Sequence, residues 1–393
     1  MQAVATSSKA TKRILLADDQ GSVLEALRLL LKQEGYEADA VTRPGDVLSA
    51  LEAQEYDLVL MDMNYAQDTT SGREGLDLLT RIRMLQKDVP LVVMTAWGNM
   101  ELAIEAMRRG ARDFIQKPWN NQEVLEALRA QISDHQRGLR QSREWKQEIA
   151  DAREVQQHFL AQPVPQLRGY DICASSRPAR ILGGDYFEVS RTKTGEAALC
   201  IADVAGKGIG AALLMSSLQA MLRSLGDARP ASVCGELNRV LCQLAPAGKF
   251  VSFFQCLLAE DSRQLTYCNA GHNAPILVRQ DGSVLRPQSN DAVLGYFRDW
   301  RYSEQTIELE PGDRLVLFTD GISEAFNEEG EEFGDETLMK LTAENRTCDA
   351  ESLHRVLTSA VLEHCGERLQ DDATLVVMAV KSQPGGRRYC EGA

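Results

Sequence analysis

Short apolar runs alternate with amphipathic helical patterns between residues 13 and 118, and this alternation restricts the fold more than any other feature of the chain. The runs RILLAD, DLVLMD, PLVVMT and RDFIQ have the length and composition of buried strands. The patterns SVLEALRLLLKQ, GLDLLTRIRML and MELAIEAMRRG separate them and have helical periodicity. Strands joined through helices run parallel, with helices on both faces. The pattern predicts a doubly wound α/β domain over residues 13–120.

Polar side chains stand at the ends of these predicted strands, namely Asp18, Asp19, Asp62, Thr95 and Lys117. In parallel sheets the carboxyl ends of the strands meet at one edge, where ligands bind. Three carboxylates, a hydroxyl and an amine at one edge indicate a functional site.

Residues 121–165 are predicted to form a long polar helix that links two domains. Apolar or weakly polar residues recur every three or four positions, which is typical of a coiled coil, at Leu125, Leu128, Ile132, His135, Leu139, Ser142, Trp145, Ile149, Ala152, Val155 and Phe159. The alternative is a single helix that packs on a neighbouring domain. Pro163 and Pro165 are expected to end it.

Residues 166–381 have a different pattern, with β-rich segments and two helical stretches, which predicts an α+β domain. The strand candidates are EAALCIADV, FVSFFQCLLAE, QLTYCNA, APILVRQ, RLVLFTD and ATLVVMAV, and the helices are GIGAALLMSSLQAMLRSL and DAESLHRVLTSAVLEHC. We expect a flexible N-terminus over residues 1–12 and a disordered tail over 382–393.

Charge and composition exclude several function classes. The 393 residues carry 43 Lys and Arg against 57 Asp and Glu, a net charge of −14, which argues against nucleic-acid binding. No apolar stretch approaches ~18 residues, so no membrane span is expected. The first residues, MQAVATSSKATK, lack an apolar signal core, which predicts a cytoplasmic protein. Nine cysteines without a C-x-x-C pair indicate reduced thiols.

The segment DVAGKG at 203–208 invites a nucleotide-binding interpretation, which its residues contradict. A phosphate-binding P-loop needs Ser or Thr after its lysine and a glycine six residues before it. Gly208 and Ile201 occupy those positions. The segment is therefore not a P-loop, and its opening acid is the more informative residue.

Acids stand at strand edges throughout the second domain, at Asp185, Asp203, Asp320, Asp371 and Asp372. A single acid there is usually a turn residue or a helix cap. Several acids brought together would repel one another, and hard divalent cations such as Mg²⁺ or Mn²⁺ remove that repulsion. Two such ions can bind a phosphate ester and activate water.

Residues 170–380 resemble the bacterial SpoIIE-like branch of the metal-dependent (PPM, 2C-type) serine/threonine phosphatases. The motifs that carry the resemblance are GGDYFE, DVAGKGIGAALLM, FVSFFQCLL, NAGHNAPILV, PGDRLVLFTDGISEAFN and DDATLVV. Residues 13–118 resemble response-regulator receiver domains through ADD, LMDM, MTAW and IQKP. The resemblances imply a five-stranded receiver sheet, and then a β-sandwich flanked by helices.

The phosphatase resemblance implies two Mn²⁺ or Mg²⁺ ions. Asp203 would bridge them with help from the carbonyl of Val204, Asp320 and Asp371 would hold the first ion, and Asp185 would act on the second. Further residues near the site would be Gly184 and Asp372. Two residues keep alternatives: Arg180 contacts the phosphate or lies at the surface, and His272 is a general acid or a hydrogen-bonded turn residue. Glu188 stands where the family commonly has Asp.

The receiver resemblance implies that Asp62 accepts a phosphoryl group. One Mg²⁺ would be bound by Asp18, Asp19, Asp62 and Asn64. Lys117 would pair with the phosphoryl oxygens and Thr95 would report the modification, while Phe114 either changes rotamer with Thr95 or is a core aromatic. The loop NYAQDTTSGREG is longer than usual, and Ala66 replaces a common Pro, which bears on the lifetime of the phosphoaspartate.

Together the resemblances imply a two-component response regulator whose output is dephosphorylation of phosphoserine or phosphothreonine on a partner protein. The expected partners are a cognate histidine kinase and an anti-sigma-factor antagonist, and the expected assembly is a homodimer. The alternative is a non-catalytic adaptor that binds an anti-sigma or sigma factor. Such an adaptor should have lost at least one of the four acids Asp185, Asp203, Asp320 and Asp371, and all are present.

Overall fold

The computed structural model describes residues 11–65, 72–86, 88–96, 100–160, 163–246, 248–287 and 291–381. The chain divides into two compact units, Met1–Lys146 and Gln147–Ala393. Residues 1–10 of the predicted flexible N-terminus, the predicted tail 382–393 and the loop around Ala66 lie outside the described residues. No helix within the described ranges is long and apolar enough to cross a membrane.

The first unit contains a five-stranded parallel sheet in the order β2-β1-β3-β4-β5. Its strands are β1 (Arg13–Ala17), β2 (Glu37–Val41), β3 (Leu58–Asp62), β4 (Leu91–Ala96) and β5 (Asp113–Lys117). Its helices are α1 (Gly21–Gln33), α2 (Pro44–Ala53), α3 (Arg73–Leu85), α4 (Met100–Arg108) and the start of α5 (Asn121–Leu160). Separate apolar clusters cover the two sheet faces. The prediction of a doubly wound parallel sheet is confirmed.

The first turns of α5 belong to the core of this unit. Leu125, Leu128 and Ile132 are buried against the strands β1, β3 and β4. They are the first of the regularly spaced apolar residues that predicted a coiled coil. In the structure they cover one face of the first unit's sheet. The receiver core therefore extends beyond residue 120, where the sequence pattern placed its end.

The second unit contains two five-stranded sheets, in the orders β13-β10-β9-β8-β7 and β12-β11-β14-β15-β6. The strands are β6 (Tyr170–Arg177), β7 (Tyr186–Arg191), β8 (Ala197–Val204), β9 (Val251–Ala259), β10 (Gln264–Ala270), β11 (Ile276–Val278), β12 (Val284–Leu285), β13 (Gln305–Glu308), β14 (Arg314–Phe318) and β15 (Ala373–Val380). The helices are α6 (Ile209–Leu225), α7 (Pro230–Leu244), α8 (Asp320–Ser323), α9 (Asp335–Glu344) and α10 (Ala350–His364).

The two sheets pack face to face, and helices cover their outer faces. Ile201 and Phe254 of one sheet share a core with Leu317 and Val376 of the other. Helices α6 and α7 cover the first sheet, and α9 and α10 cover the second. The strands within each sheet pair antiparallel. Successive side chains of a strand point to opposite faces of its sheet, so they face the shared core and the helical layer in turn. The predicted β-sandwich flanked by helices is confirmed.

The backbone after β14 approaches the segment before β15 so closely that only glycine fits. A Cβ atom on Gly321 would lie 2.1 Å from the carbonyl oxygen of Asp372 and 3.1 Å from the carbonyl carbon of Asp371. The contact therefore fixes two acid-bearing segments, at 320 and at 371–372, against each other.

We expect Gly321→Ala to destabilise the protein by roughly 1–3 kcal/mol, because the added methyl group must displace backbone. Urea unfolding measures this change. The control is Gly235→Ala in α7, where nothing lies within 4 Å of the added Cβ and alanine favours the helix. Equal stability of Gly321→Ala and the wild type would contradict the close approach.

Candidate functional site

The carboxyl ends of the receiver strands bring three acids and a lysine together. Asp18 follows β1, Asp62 ends β3 and Lys117 ends β5. The Lys117 Nζ lies 2.7 Å from Asp18 Oδ2 and 3.0 Å from Asp62 Oδ2. Asp18, Asp19 and Asp62 each offer a carboxylate oxygen within 4.8 Å of the others. Three oxygen ligands at this spacing fit a hard divalent cation.

Burial and the nearby lysine act in opposite directions on Asp62. Burial raises the pKa of Asp62, whereas the charge and hydrogen bond of Lys117 lower it, and the net shift is upward. Burial lowers the pKa of Lys117, but its hydrogen bond to Asp18 and the charge of Asp62 outweigh this, so that pKa is raised. The lysine therefore remains a fixed cation beside the buried carboxylate.

The other predicted receiver residues lie at or near the same edge. Thr95 is buried close to the end of β4, which lies between the strands that carry Asp62 and Lys117. Asn64 follows Asp62 by two residues, and its Oδ1 is buried without a hydrogen-bond partner. Phe114 is half-buried against the receiver core. Its packing is that of a core aromatic.

Both sheets of the sandwich contribute to the second acid cluster. Asp203 lies in β8 and Asp185 directly precedes β7, in one sheet, while Asp320 follows β14 and Asp371 precedes β15, in the other. These four residues are called the acid cluster below. Among the described residues, no three of these four carboxylates meet the 4.8 Å spacing of the receiver acids.

Electrostatic coupling joins the members of the acid cluster. Burial, followed by the charges of Asp320 and Asp371, raises the pKa of Asp203 to about 7. Burial and the charge of Asp371 also raise the pKa of Asp320, and burial and the charge of Asp203 raise that of Asp185. Carboxylates that repel one another in a buried setting favour either protonation or a bound cation.

Two buried threonines hold Asp185 in place. Thr319 Oγ1 and Thr374 Oγ1 donate hydrogen bonds to Asp185 Oδ2 at 2.8 and 2.7 Å. The other oxygen, Oδ1, is buried and has no hydrogen-bond partner. An unpaired buried carboxylate oxygen is costly, and a cation would satisfy it. The sequence analysis missed both threonines, although each stands within one or two residues of an acid in the motifs FTDG and DDAT.

The Asp372 carboxylate fixes the loop that precedes Asp185. The backbone N–H groups of Ala179 and Gly184 donate to its two oxygens at 2.8 and 2.6 Å. A Cβ on Gly184 would lie 3.3 Å from the carbonyl oxygen of Val204. Gly184 and Asp372 therefore lie next to the segments that carry Asp185 and Asp203.

Positive charge also reaches the acid cluster. The Lys207 Nζ lies 2.8 Å from Asp371 Oδ2 and 2.7 Å from the carbonyl oxygen of Gln370. Arg180 is exposed, and its Nη1 lies 3.9 Å from where a Cβ on Gly208 would stand. Both cations border the loop that follows Asp203.

His272 lies in the interior. Its Nδ1 is 2.8 Å from Ser252 Oγ, and its backbone N–H donates to Asn269 Oδ1 at 2.7 Å. Burial lowers the pKa of His272 to about 4, so it is neutral at pH 7. These contacts are those of a hydrogen-bonded turn residue.

Glu188, the departure from the family pattern, lies in β7 away from the acid cluster. It accepts a hydrogen bond from the Tyr186 hydroxyl, and the Arg223 Nε lies 3.7 Å from its Oε1.

Gln156 of α5 makes two hydrogen bonds with the backbone just before Asp185, a contact that the sequence analysis missed. Its Nε2 donates to the carbonyl oxygen of Gly183 at 2.8 Å, and the Gly183 N–H donates to its Oε1 at 3.2 Å. Gln219 of α6 donates to the carbonyl oxygen of Phe159 at 2.9 Å. The end of α5 is thus bonded both to the Asp185 loop and to the helix that follows Asp203. A glutamine in a polar helix gives no sequence signal for such a role.

Comparison with known proteins agrees with this division of the chain. The model of the response regulator receiver domain matches residues 14–129, and the model of stage II sporulation protein E matches residues 193–381. Phosphoserine phosphatase RsbU of Bacillus subtilis is 36% identical over 265 residues, which cover 66% of this chain and 78% of the relative.

Two further similarities concern one domain each. The regulatory protein AlgB of Pseudomonas aeruginosa is 30% identical over 131 residues, which cover 33% of this chain and 28% of that relative. The solved SiaA-PP2C domain of Pseudomonas aeruginosa has a TM-score of 0.53 at 19% identity, over 61% of this chain and 98% of that domain. At that identity the structural likeness shows the fold alone. Taken with the RsbU match, these findings show that the chain belongs to the SpoIIE-like PPM phosphatases and is a response regulator with a receiver domain at its N-terminus.

Proposed function

We propose that the acid cluster binds two Mn²⁺ or Mg²⁺ ions and hydrolyses phosphoserine or phosphothreonine on a partner protein, under the control of Asp62 phosphorylation. The observation that carries this proposal is the convergence of four acids from both sheets around Asp185 Oδ1, which is buried without a hydrogen-bond partner; burial and the charges of Asp320 and Asp371, which raise the pKa of Asp203, support it. Bound ions of this kind activate water and stabilise charge on the phosphoryl oxygens.

The chain's own residues would divide the remaining work. Asp203, Asp320, Asp371 and the Val204 carbonyl would hold the ions together with Asp185, whose orientation the two threonine hydroxyls fix. Lys207 and Arg180 would attract the phosphoryl dianion to the rim. His272, neutral and bonded to Ser252, would support the turn and take no part in proton transfer.

We expect Asp320→Asn to lower Mn²⁺-dependent hydrolysis of p-nitrophenyl phosphate by at least ~100-fold. Residues that only support a metal ligand are worth about 10–100-fold, and a direct ligand should be worth no less. Glu336→Gln, which neutralises an exposed acid in α9, is the matched control and should keep full activity. Full activity of Asp320→Asn would remove Asp320 from the site.

We expect the metal-free protein to lose stability as the pH rises from 5 to 8. A carboxyl group whose pKa is about 7 in the folded state and about 4 in the unfolded state stabilises the fold below pH 4, and this contribution is lost as the pH rises through 7. Thermal unfolding in EDTA measures the loss. It should be smaller in Asp203→Asn, and Mn²⁺ should reduce it in the wild type. The same pH dependence in Asp203→Asn would contradict the shifted pKa.

Phosphorylation at the receiver site would regulate the phosphatase activity. A cognate histidine kinase would phosphorylate Asp62, with Mg²⁺ held by Asp18, Asp19, Asp62 and the carbonyl of Asn64. Lys117 already contacts two of these carboxylates and would then pair with the phosphoryl oxygens. Thr95 is buried on β4, the strand next to the one that carries Asp62, and would report the phosphorylation. Phe114 would change rotamer together with Thr95.

Helix α5 would transmit the phosphorylation state of Asp62 to the phosphatase domain, and pairing of α5 from two copies of the chain would form a homodimer. Exposed apolar side chains remain along it after the receiver core ends, with 42% to 58% of each exposed, at Leu139, Trp145, Val155 and Phe159. Such a stripe supports a coiled coil between two copies. Because Gln156 bonds to the backbone beside Asp185, a shift of α5 would move that acid.

Beryllofluoride, which mimics the phosphoryl group on Asp62, should change p-nitrophenyl phosphate hydrolysis by about 5-fold or more, the lower range of allosteric coupling. Asp62→Ala should show no response. An unchanged rate in the wild type would contradict regulation by the receiver domain.

We expect the protein to sediment as a homodimer. Sedimentation of the wild type and of Asp62→Glu measures this, and a monomer in both proteins would contradict the homodimer.

The resemblance implies a cytoplasmic substrate of the anti-sigma-factor antagonist class. The alternative, a receiver-controlled adaptor for an anti-sigma or sigma factor, would bind such a partner without hydrolysis. The retained acids favour the enzyme. Metal-bound, folded protein that is inactive on both p-nitrophenyl phosphate and phosphoproteins would favour the adaptor.

A further inference from the structure

We infer that an exposed group of aromatic side chains near the acid cluster binds an apolar part of the substrate segment that carries the phosphoserine or phosphothreonine. The group consists of Phe250, Tyr296, Phe297 and Trp300 and is called the aromatic patch. The inference rests on the proposed phosphatase activity and adds to it the means by which the substrate is selected.

The four rings of the aromatic patch form one continuous surface. Ring centroids are 6.5 Å apart for Phe250 and Tyr296, 4.8 Å for Tyr296 and Phe297, and 5.9 Å for Phe297 and Trp300. Between 36% and 61% of each residue is exposed. Single exposed apolar residues need no explanation, but contiguous groups of large ones often mark binding sites. Trp and Tyr are also enriched among the residues that anchor protein interfaces.

The backbone places the aromatic patch close to Asp203. In the β8–β9 ladder, Asp203 pairs with Ser252 and Val204 with Val251. The Ala205 N–H then donates to the carbonyl oxygen of Phe250 at 2.9 Å. On its other side Val251 exchanges two hydrogen bonds with Leu294, at 3.0 and 2.8 Å. Two strand spacings therefore separate Val204 from Leu294, about 10 Å.

Hydrogen bonds support the backbone of the aromatic patch and one of its rings. Asn238 of α7 is buried, and its Nδ2 donates to the carbonyl oxygen of Phe297 at 2.9 Å. Its Oδ1 accepts from the Gly295 N–H at 2.8 Å. The Trp300 Nε1 donates to Asp291 Oδ1 at 3.2 Å. A surface fixed in this way loses little conformational entropy when a partner binds.

The position and chemistry of the aromatic patch define its occupant. The ~10 Å between Val204 and Leu294 corresponds to about three residues of extended peptide at ~3.3 Å per residue, so a chain with its phosphate at the acid cluster would reach the aromatic patch about three residues away. Lys249 lies between the two, with its Nζ 2.9 Å from the carbonyl oxygen of Ala205, and adds a cation on the path of a phosphorylated segment. We therefore expect a leucine or phenylalanine three residues from the phosphorylated residue.

Synthetic phosphopeptides test this specificity. One peptide carries phosphoserine with phenylalanine three residues away on each side, and the other has serine at both positions. The wild type should hydrolyse the phenylalanine peptide with a kcat/KM about 10-fold higher, mainly through KM. In Phe297→Ser and Tyr296→Ser this preference should fall below ~2-fold, while hydrolysis of p-nitrophenyl phosphate stays unchanged. Leu285→Ser, an exposed apolar residue on β12 of the other sheet, should keep the full preference.

Each contrary result has a distinct meaning. Equal hydrolysis of both peptides by an active wild type overturns the inference and leaves the phosphatase proposal intact. A preference that survives in both variants also overturns it, and if those variants change the sedimenting mass, the aromatic patch is an interface between copies of the chain. Hydrolysis of neither the peptides nor p-nitrophenyl phosphate by the wild type defeats the proposed function, and this inference with it.

Discussion

Mutual repulsion between buried carboxylates is the constraint on which the functional parts of both domains depend. In the receiver, a lysine from the last strand offsets it, because the Lys117 Nζ contacts both Asp18 and Asp62. In the phosphatase domain burial, together with the charges of Asp320 and Asp371, raises the pKa of Asp203 to about 7. The first site thus carries an internal cation that contacts two of its acids, whereas in the second Lys207 contacts Asp371 and the remaining repulsion favours external divalent ions.

Hydrogen bonds from both halves of the sandwich determine where the acids of the phosphatase domain stand. Thr319 and Thr374 come from the sheet opposite the strand that Asp185 precedes, and both donate to its carboxylate. Asp372 accepts from the backbone of the loop before Asp185, and Gln156 bonds to the same loop from α5. The site is therefore a product of sheet packing, and a change in either sheet or in α5 would alter it.

Sequence patterns predicted the strands that contain an apolar run and missed those that lack one. The buried runs became β1, β3 and β4, and RDFIQ became β5, in which only Ile115 is buried. Strand β2, with residues of intermediate burial at the sheet edge, has no apolar run to reveal it. Likewise α7 was overlooked, because its apolar face is interrupted by polar residues such as Asn238. The regular spacing of apolar residues along α5 was recognised, but the first of them pack in the receiver core. Periodicity alone does not tell which surface a helix face will contact.

The sequence by itself determined the chemistry: which strands end in acids, that a P-loop is absent from DVAGKG, and that the motifs of a receiver and a SpoIIE-like phosphatase follow one another. Only the tertiary structure decided which groups act together. It bonded Thr319 and Thr374 to Asp185, placed His272 in a neutral, buried turn, and brought four exposed aromatic rings into contact with one another. Residue types and local periodicity can be read from the sequence. Contacts between distant residues exist only after the sheets have packed, as between Asp185 and Thr319, which are more than a hundred positions apart.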